Sequence, residues 1–108
     1  HAWERLLATS GLPREQATKA VGLSARTLAR RKSEGRFHAD ESDRLLRLAR
    51  VYARAVDLFE GRADAAREWL LSPQRALGDS TPLEYAATDL GAREVETLIG
   101  RLEHGIVA

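Results

Sequence analysis

Gln16-Ala17-Thr18-Lys19-Ala20-Val21-Gly22-Leu23-Ser24-Ala25-Arg26-Thr27-Leu28-Ala29-Arg30-Arg31 is the stretch from which the fold is read. Two short helical segments flank Gly22-Leu23-Ser24. Glycine permits the left-handed backbone that a tight helix-to-helix turn needs, and Ser24 is a strong N-cap for the second segment. Ala17, Val21, Leu23 and Leu28 fall where such a turn packs its inner face. Length and turn are those of a DNA-reading helix-turn-helix. With Leu28 turned inward, ~100° of rotation per residue places Arg26 and Arg30 near the solvent side, with Thr27 and Ser33 beside them. The candidate DNA-binding set is Ser24, Arg26, Thr27, Arg30, Arg31 and Lys32. Arginine suits bidentate recognition of guanine, and hydroxyls such as Ser24 and Thr27 suit phosphates. Arg31 stands where the motif usually has an apolar residue, so it either reaches a phosphate or pairs with an acid. The competing reading is three ordinary helices with a solvated arginine face.

Helical periodicity continues on both sides, and no stretch alternates long enough to suggest a strand. The expected class is all-α. Upstream, Ala2 to Thr9 offers Trp3, Leu6 and Leu7 to a core and stops at Ser10-Gly11. The second helix is expected from Pro13, which suits a first helical turn because its missing N–H would be unpaired there, to Val21. The third runs from Ser24 to near Gly35. The longest is expected over Asp40 to Phe59, with Leu45, Leu48, Ala49, Tyr52, Ala55, Val56 and Phe59 at helical spacing. Leu46, Val51, Ala53 and Leu58 broaden that stripe, which predicts burial on two sides, by linking two halves or by forming a dimer interface. Arg62 to Leu71 reads as a short helix with Trp69 and Leu70 inward, ended by Pro73. Thr81-Pro82-Leu83-Glu84 reads as a capping box with proline at the first helical position. Gly91 to His104 carries Val95, Leu98, Ile99 and Leu102 on one face and stops at Gly105.

A chain of 108 residues, 44% hydrophobic and 31% charged, can bury a small core, and at this size a second chain adds noticeably to stability. The net charge of +1 hides an asymmetry. Residues 1–38 carry eight Lys or Arg against three Glu, a net +5, and residues 39–108 carry nine Arg against thirteen Asp or Glu, a net −4. A basic front suits a polyanion, and an acidic back assigns the rest of the surface elsewhere. Absence of cysteine excludes disulfides and thiolate metal sites. No apolar run approaches the ~18 residues of a membrane span, and no leader pattern is present, so the expected compartment is the cytoplasm, without a membrane partner.

Past Ala55 further blocks stand out: Ala66-Arg67-Glu68-Trp69-Leu70, Pro73-Gln74-Arg75-Ala76-Leu77-Gly78, Thr81-Pro82-Leu83-Glu84, Gly91-Ala92-Arg93-Glu94-Val95, and Leu98-Ile99-Gly100-Arg101-Leu102-Glu103-His104-Gly105. In order and spacing they resemble the toxin-binding domain of the Xre/MbcA/ParS antitoxin family. Thr27-Leu28-Ala29-Arg30-Arg31 and Glu41-Ser42-Asp43-Arg44-Leu45-Leu46-Arg47 resemble that family's N-terminal region. The loop Ser72-Pro73-Gln74-Arg75 is one residue longer than the family's usual Asn-Pro loop, and Asp79 replaces a second glycine. The resemblance implies an Xre-like helix-turn-helix region over residues 1–54 packed with a toxin-binding domain over residues 55–108. It further implies an antitoxin of a type II toxin-antitoxin system that neutralises a RES-domain, NAD-consuming toxin and, as a homodimer, represses its own promoter by binding operator DNA. Arg101, Glu103, His104, Gly105, Ile106 and Val107 are the toxin-binding candidates it implies. An apolar residue after a terminal glycine also packs back on its own helix, so Ile106 is equally a cap.

Nothing in the chain has the form of a catalytic or cofactor site. His38 and His104 are distant in sequence, no nucleophile sits in a recognisable elbow, no glycine-rich loop could cradle phosphates, and carboxylates lack metal-ligand spacing. The expectation is a non-enzyme with no cofactor and no metal. The alternative function is a stand-alone dimeric transcriptional repressor without a toxin partner.

Overall fold

The computed structural model describes residues 1–105 of the chain. Among them lie seven α-helices: α1 (Ala2–Ser10), α2 (Arg14–Val21), α3 (Ala25–Glu34), α4 (Ala39–Leu58), α5 (Ala63–Leu70), α6 (Pro82–Tyr85) and α7 (Asp89–Glu103), with a 3-10 turn at Arg75–Leu77 between α5 and α6. No strand occurs among the described residues; Gln74 and Ser80 form one isolated bridge. The all-α class and the order of elements are those expected.

Local chemistry explains where the helices start and stop. Gly22 has φ 71°, and its N–H bonds back to the Thr18 and Lys19 carbonyls. The Ser24 hydroxyl oxygen accepts from Thr27 N at 3.0 Å, which starts α3. At α6 the capping box is complete: Thr81 Oγ1 accepts from Glu84 N and Glu84 Oε1 accepts from Thr81 N, both at 3.0 Å, with Pro82 in the first turn. Besides one-residue offsets at α4 and α5, two starts differ from expectation for reasons of local chemistry. Pro13 is the cap of α2 rather than its first residue, because its ψ of 134° is extended although its φ of −59° is helix-like. α7 begins at Asp89 instead of Gly91, because Thr88 is a side-chain cap whose oxygen accepts from Gly91 N at 2.9 Å.

α4 is the axle of the fold. It packs against α1 and α2 of the front half and against α5 and α7 of the back half, while α2 also meets α6. The buried residues consequently form one contiguous core, from Trp3, Val21 and Leu28 through Leu45, Leu48, Val51 and Ala55 to Leu70, Val95 and Ile99. Of the two roles expected for its wide apolar stripe, α4 visibly fills the linking one. The buried row is Leu45, Leu48, Val51 and Ala55. Leu46 and Ala53, expected to broaden it, are exposed, Leu46 at 65%, because a 3.6-residue period carries them to the other side. Trp69, expected inward with Leu70, is half-buried beside Phe59, their ring centroids 6.4 Å apart. Trp3 and Leu70 are the largest of the fully buried side chains.

Two side-chain hydrogen bonds pin the last turn of α1. Tyr52 Oη donates to the Thr9 carbonyl at 3.3 Å and Arg67 Nη1 to the Ser10 carbonyl at 3.3 Å. Gly11 closes α1 with φ 67°, a left-handed conformation that glycine adopts without strain.

Candidate functional site

α3 buries only Leu28 and Arg31, and so presents the rest of its circumference outward. Arg26 and Arg30 are exposed, and among the described residues neither has a hydrogen-bonding or ion-pair partner. At the start of the helix Ser24 donates its hydroxyl proton to Thr27 Oγ1 at 3.0 Å, which leaves the Thr27 hydroxyl proton available to an acceptor such as a phosphate oxygen. Lys32 is exposed, with Nζ 3.8 Å from Glu4 Oε2. Glu4 also takes both Arg14 nitrogens at 3.0 and 3.3 Å; the Arg14 hydrogen bonds, foremost, hold its carboxyl below the usual carboxylate range. Glu4 thus ties α1 to α2 and α3.

Arg31 is the exception in the predicted DNA-binding set. It is 8% exposed. Its Nε and Nη2 meet the two oxygens of Glu41 at 2.7 and 3.1 Å, and its Nη1 meets Glu34 Oε1 at 3.1 Å. Of the alternatives open in the sequence, pairing with an acid is the one realised. Arg31 is therefore corrected from the groove-facing set to the inner face, because three residues after Leu28 it lies on the same side of the helix. The Glu41 carboxyl is lowered to about 2, first by the Arg31 hydrogen bonds and then by the His38 backbone N–H that it also accepts.

The candidates in the back half cluster at the end of α7. Arg101, Glu103, His104 and Gly105 are exposed. Glu103 accepts from Arg54 Nη2 at 3.2 Å. Arg101 borders a shallow cavity of about 200 Å³ with Ala76, Leu77, Glu94, Thr97 and Leu98. His104 and Gly105 turn the chain, their N–H groups bonding to the Gly100 and Leu102 carbonyls. Ile106 and Val107 lie outside the described residues.

Sequence reasoning missed a row of arginines on α4. Arg44 Nη1 donates to the Gly22 carbonyl at 3.0 Å and so braces the helix-turn-helix turn. Arg47 reaches the Ala87 carbonyl at 2.8 Å and Asp89 at 3.2 Å, Arg50 reaches Glu96 at 3.1 Å, and Arg54 reaches Glu103. A signal was present, since Asp89, Glu96 and Glu103 recur every seven residues and Arg47, Arg50 and Arg54 share one helical face. Part of the acidity of the back half is thereby engaged within the fold. Exposed pairs of this kind contribute little individually, about 0 to 1 kcal/mol, so the row sets the register of α4 against α7 more than it stabilises the contact.

Residues 2–50 match the antitoxin Xre-like helix-turn-helix domain, and residues 54–105 match the antitoxin Xre/MbcA/ParS C-terminal toxin-binding domain. The class is thus a helix-turn-helix protein carrying a toxin-binding domain. The chain is 40% identical over 107 residues to the antitoxin Xre of Yersinia enterocolitica, covering 98% of this chain and 68% of that protein. It is 47% identical over 91 residues to the antitoxin Xre of Photorhabdus laumondii, covering 83% of this chain and 62% of that protein. A further antitoxin Xre, from Pseudomonas putida, is 36% identical over 66 residues, 61% of this chain and 41% of that protein. The chain belongs to the Xre family of antitoxins, and it spans about two thirds of the length of the first two relatives.

Proposed function

We propose that this protein is the antitoxin of a type II toxin-antitoxin pair, which neutralises a RES-type, NAD-consuming toxin and represses its own promoter as a homodimer. α3 reads operator DNA through Arg26 and Arg30, with Ser24, Thr27 and Lys32 toward the phosphates. The end of α7, with Arg101, Glu103, His104 and the residues after Gly105, engages the toxin. The protein acts by binding and not by catalysis, and it works in the cytoplasm; no helix among the described residues is long and apolar enough to cross a membrane. The observation that carries this reading is the joining, by α4, of an outward α3, whose Arg26 and Arg30 have no partner among the described residues, to a unit matching a toxin-binding domain. The two halves share a core, which supports a single protein that answers to both partners.

The test is coexpression with the adjacent reading frame. The expected result is copurification of the two proteins, restored growth and restored NAD in cells arrested by the neighbour alone, and a gel shift on the shared promoter. A protein that shifts the promoter but neither binds nor silences the neighbour is a stand-alone repressor, and the antitoxin reading then fails.

A further inference from the structure

Of the ten residues of α3 only Leu28 and Arg31 are buried, and Lys32 adds an exposed 3.8 Å contact to Glu4 of α1. Leu28 supplies apolar contact, which has no direction. Arg31 supplies direction. Its planar fork meets both oxygens of Glu41, its Nη1 meets Glu34, and Nη2 lies 3.5 Å from His38 Nδ1. Glu41 also accepts the His38 N–H at 2.9 Å, so the carboxylate that grips α3 is itself built into the first turn of α4. His38 and Glu34 are exposed, leaving the Arg31–Glu41 contact as the buried part of the cluster.

We propose that the Arg31–Glu41 pair positions α3, fixing its rotation about its own axis and thereby the aim of Arg26 and Arg30 at base edges. The proposal rests on the DNA-reading role of α3. Side chains extend about 5 to 6 Å from a helix axis, so a rotation of about 20° moves them by about 2 Å. Hydrogen bonds to bases tolerate a range of about 0.5 Å, whereas the apolar Leu28 contact and the long, exposed Lys32–Glu4 pair leave that rotation open. A bidentate guanidinium-carboxylate pair does not permit it, since both bonds must stay in one plane. Stability alone does not call for an ion pair here, because well-packed apolar residues in place of a buried pair are often neutral or stabilising. Arg31 and Glu41 are positioning residues, and neither is needed to touch DNA.

The test compares Arg31→Met/Glu41→Leu and Glu41→Gln with the parent protein. Three quantities are measured: thermal midpoint, affinity for a duplex of the promoter region upstream of the chain's own gene, and affinity for a random duplex of equal length across a salt series. The expected result for the double variant is an unchanged midpoint, a loss on the promoter duplex of about tenfold or more, and unchanged random-duplex binding and salt slope. If both duplexes weaken together and the salt slope falls by about one, Arg31 is a phosphate contact and the proposal is overturned. Undiminished promoter affinity overturns it as well. Glu41→Gln keeps the cap bond to His38 and one link to Arg31, and it covers the case in which the double variant does not fold. Its promoter affinity is expected to fall in the same direction, and full affinity again overturns the proposal. Arg26→Ala and Arg30→Ala separate the two levels. If they leave promoter binding intact, the reading of α3 fails and the positioning role with it; if they weaken it while the Arg31 and Glu41 variants do not, only the positioning role fails.

Discussion

Replacing Gly91 by alanine tests whether α6 and α7 meet as closely as the structure places them. A Cβ built there overlaps the Tyr85 carbonyl oxygen and lies 2.9 Å from its carbonyl carbon and 3.0 Å from Thr88 Oγ1. Carbon-oxygen contacts of this kind begin near ~3.3 Å, so the end of α6 must retreat. Overpacking against backbone costs about 1 to 3 kcal/mol. Disturbing the 2.9 Å bond from Gly91 N to Thr88 Oγ1 loosens a cap worth ~1 kcal/mol. In the other direction, alanine is favoured over glycine within a helix by about 1 kcal/mol. The net expectation is a loss of ~2 kcal/mol, which for a domain of this size lowers the thermal midpoint by on the order of 10 °C. Gly100 is the internal control. It lies in the same helix, and the nearest atom to its added Cβ is Arg54 Nη2 at 4.0 Å, so Gly100→Ala should stabilise by about 0.5 to 1 kcal/mol through propensity alone. Urea unfolding of both variants reads the difference directly. Gly91→Ala as stable as the parent would refute the reasoning, since helix propensity would then outweigh a contact that relaxes without cost.

Arg26→Ala and Arg30→Ala should each weaken promoter binding on the order of tenfold and flatten base preference at one position; gel shifts on operator variants check this, and unchanged affinity in both excludes base reading by α3. The Glu41 carboxyl sits at about 2 against an ordinary 4.5. Its contribution is therefore complete above pH 4.5, declines as pH falls and is lost through pH 2. Circular dichroism during acid titration should show a smaller loss in that window for Glu41→Gln than for the parent, and identical profiles count against the pair. Removing residues 106–108 should leave helicity and promoter binding intact while weakening rescue of toxin-arrested cells; full rescue would make that tail a helix cap only. Light scattering should give the mass of a dimer, and a monomeric mass both free and on DNA contradicts the proposed homodimer.

Helices and caps were legible because their causes are local. Gly22 and Ser24 form the turn of the helix-turn-helix within a few residues, and Thr81 and Glu84 cap each other across three. Hydrophobic spacing placed Leu28 inward and Arg26 and Arg30 outward without reference to any other element. Thr88 followed by Asp89 carried the true start of α7 by the same cap rule and was overlooked. On the partner-binding side, sequence resemblance nominated the end of α7, where the structure leaves Arg101, Glu103 and His104 exposed. The partner of Arg31 was not legible, because spacing puts it on the inner face but cannot choose between solvent, phosphate and any of sixteen carboxylates. Nor was the demand for glycine at position 91, which comes from a carbonyl on a different helix, or the exposure of Leu46, which depends on which sides of α4 its neighbours cover. By itself the sequence determined the class, the helices and the outward face of α3, since 3.6-residue periodicity and end-capping act over one or two turns. Tertiary structure decided which charges are engaged inside and how closely α6 approaches α7, because those depend on the distances between segments that only the packed chain brings together.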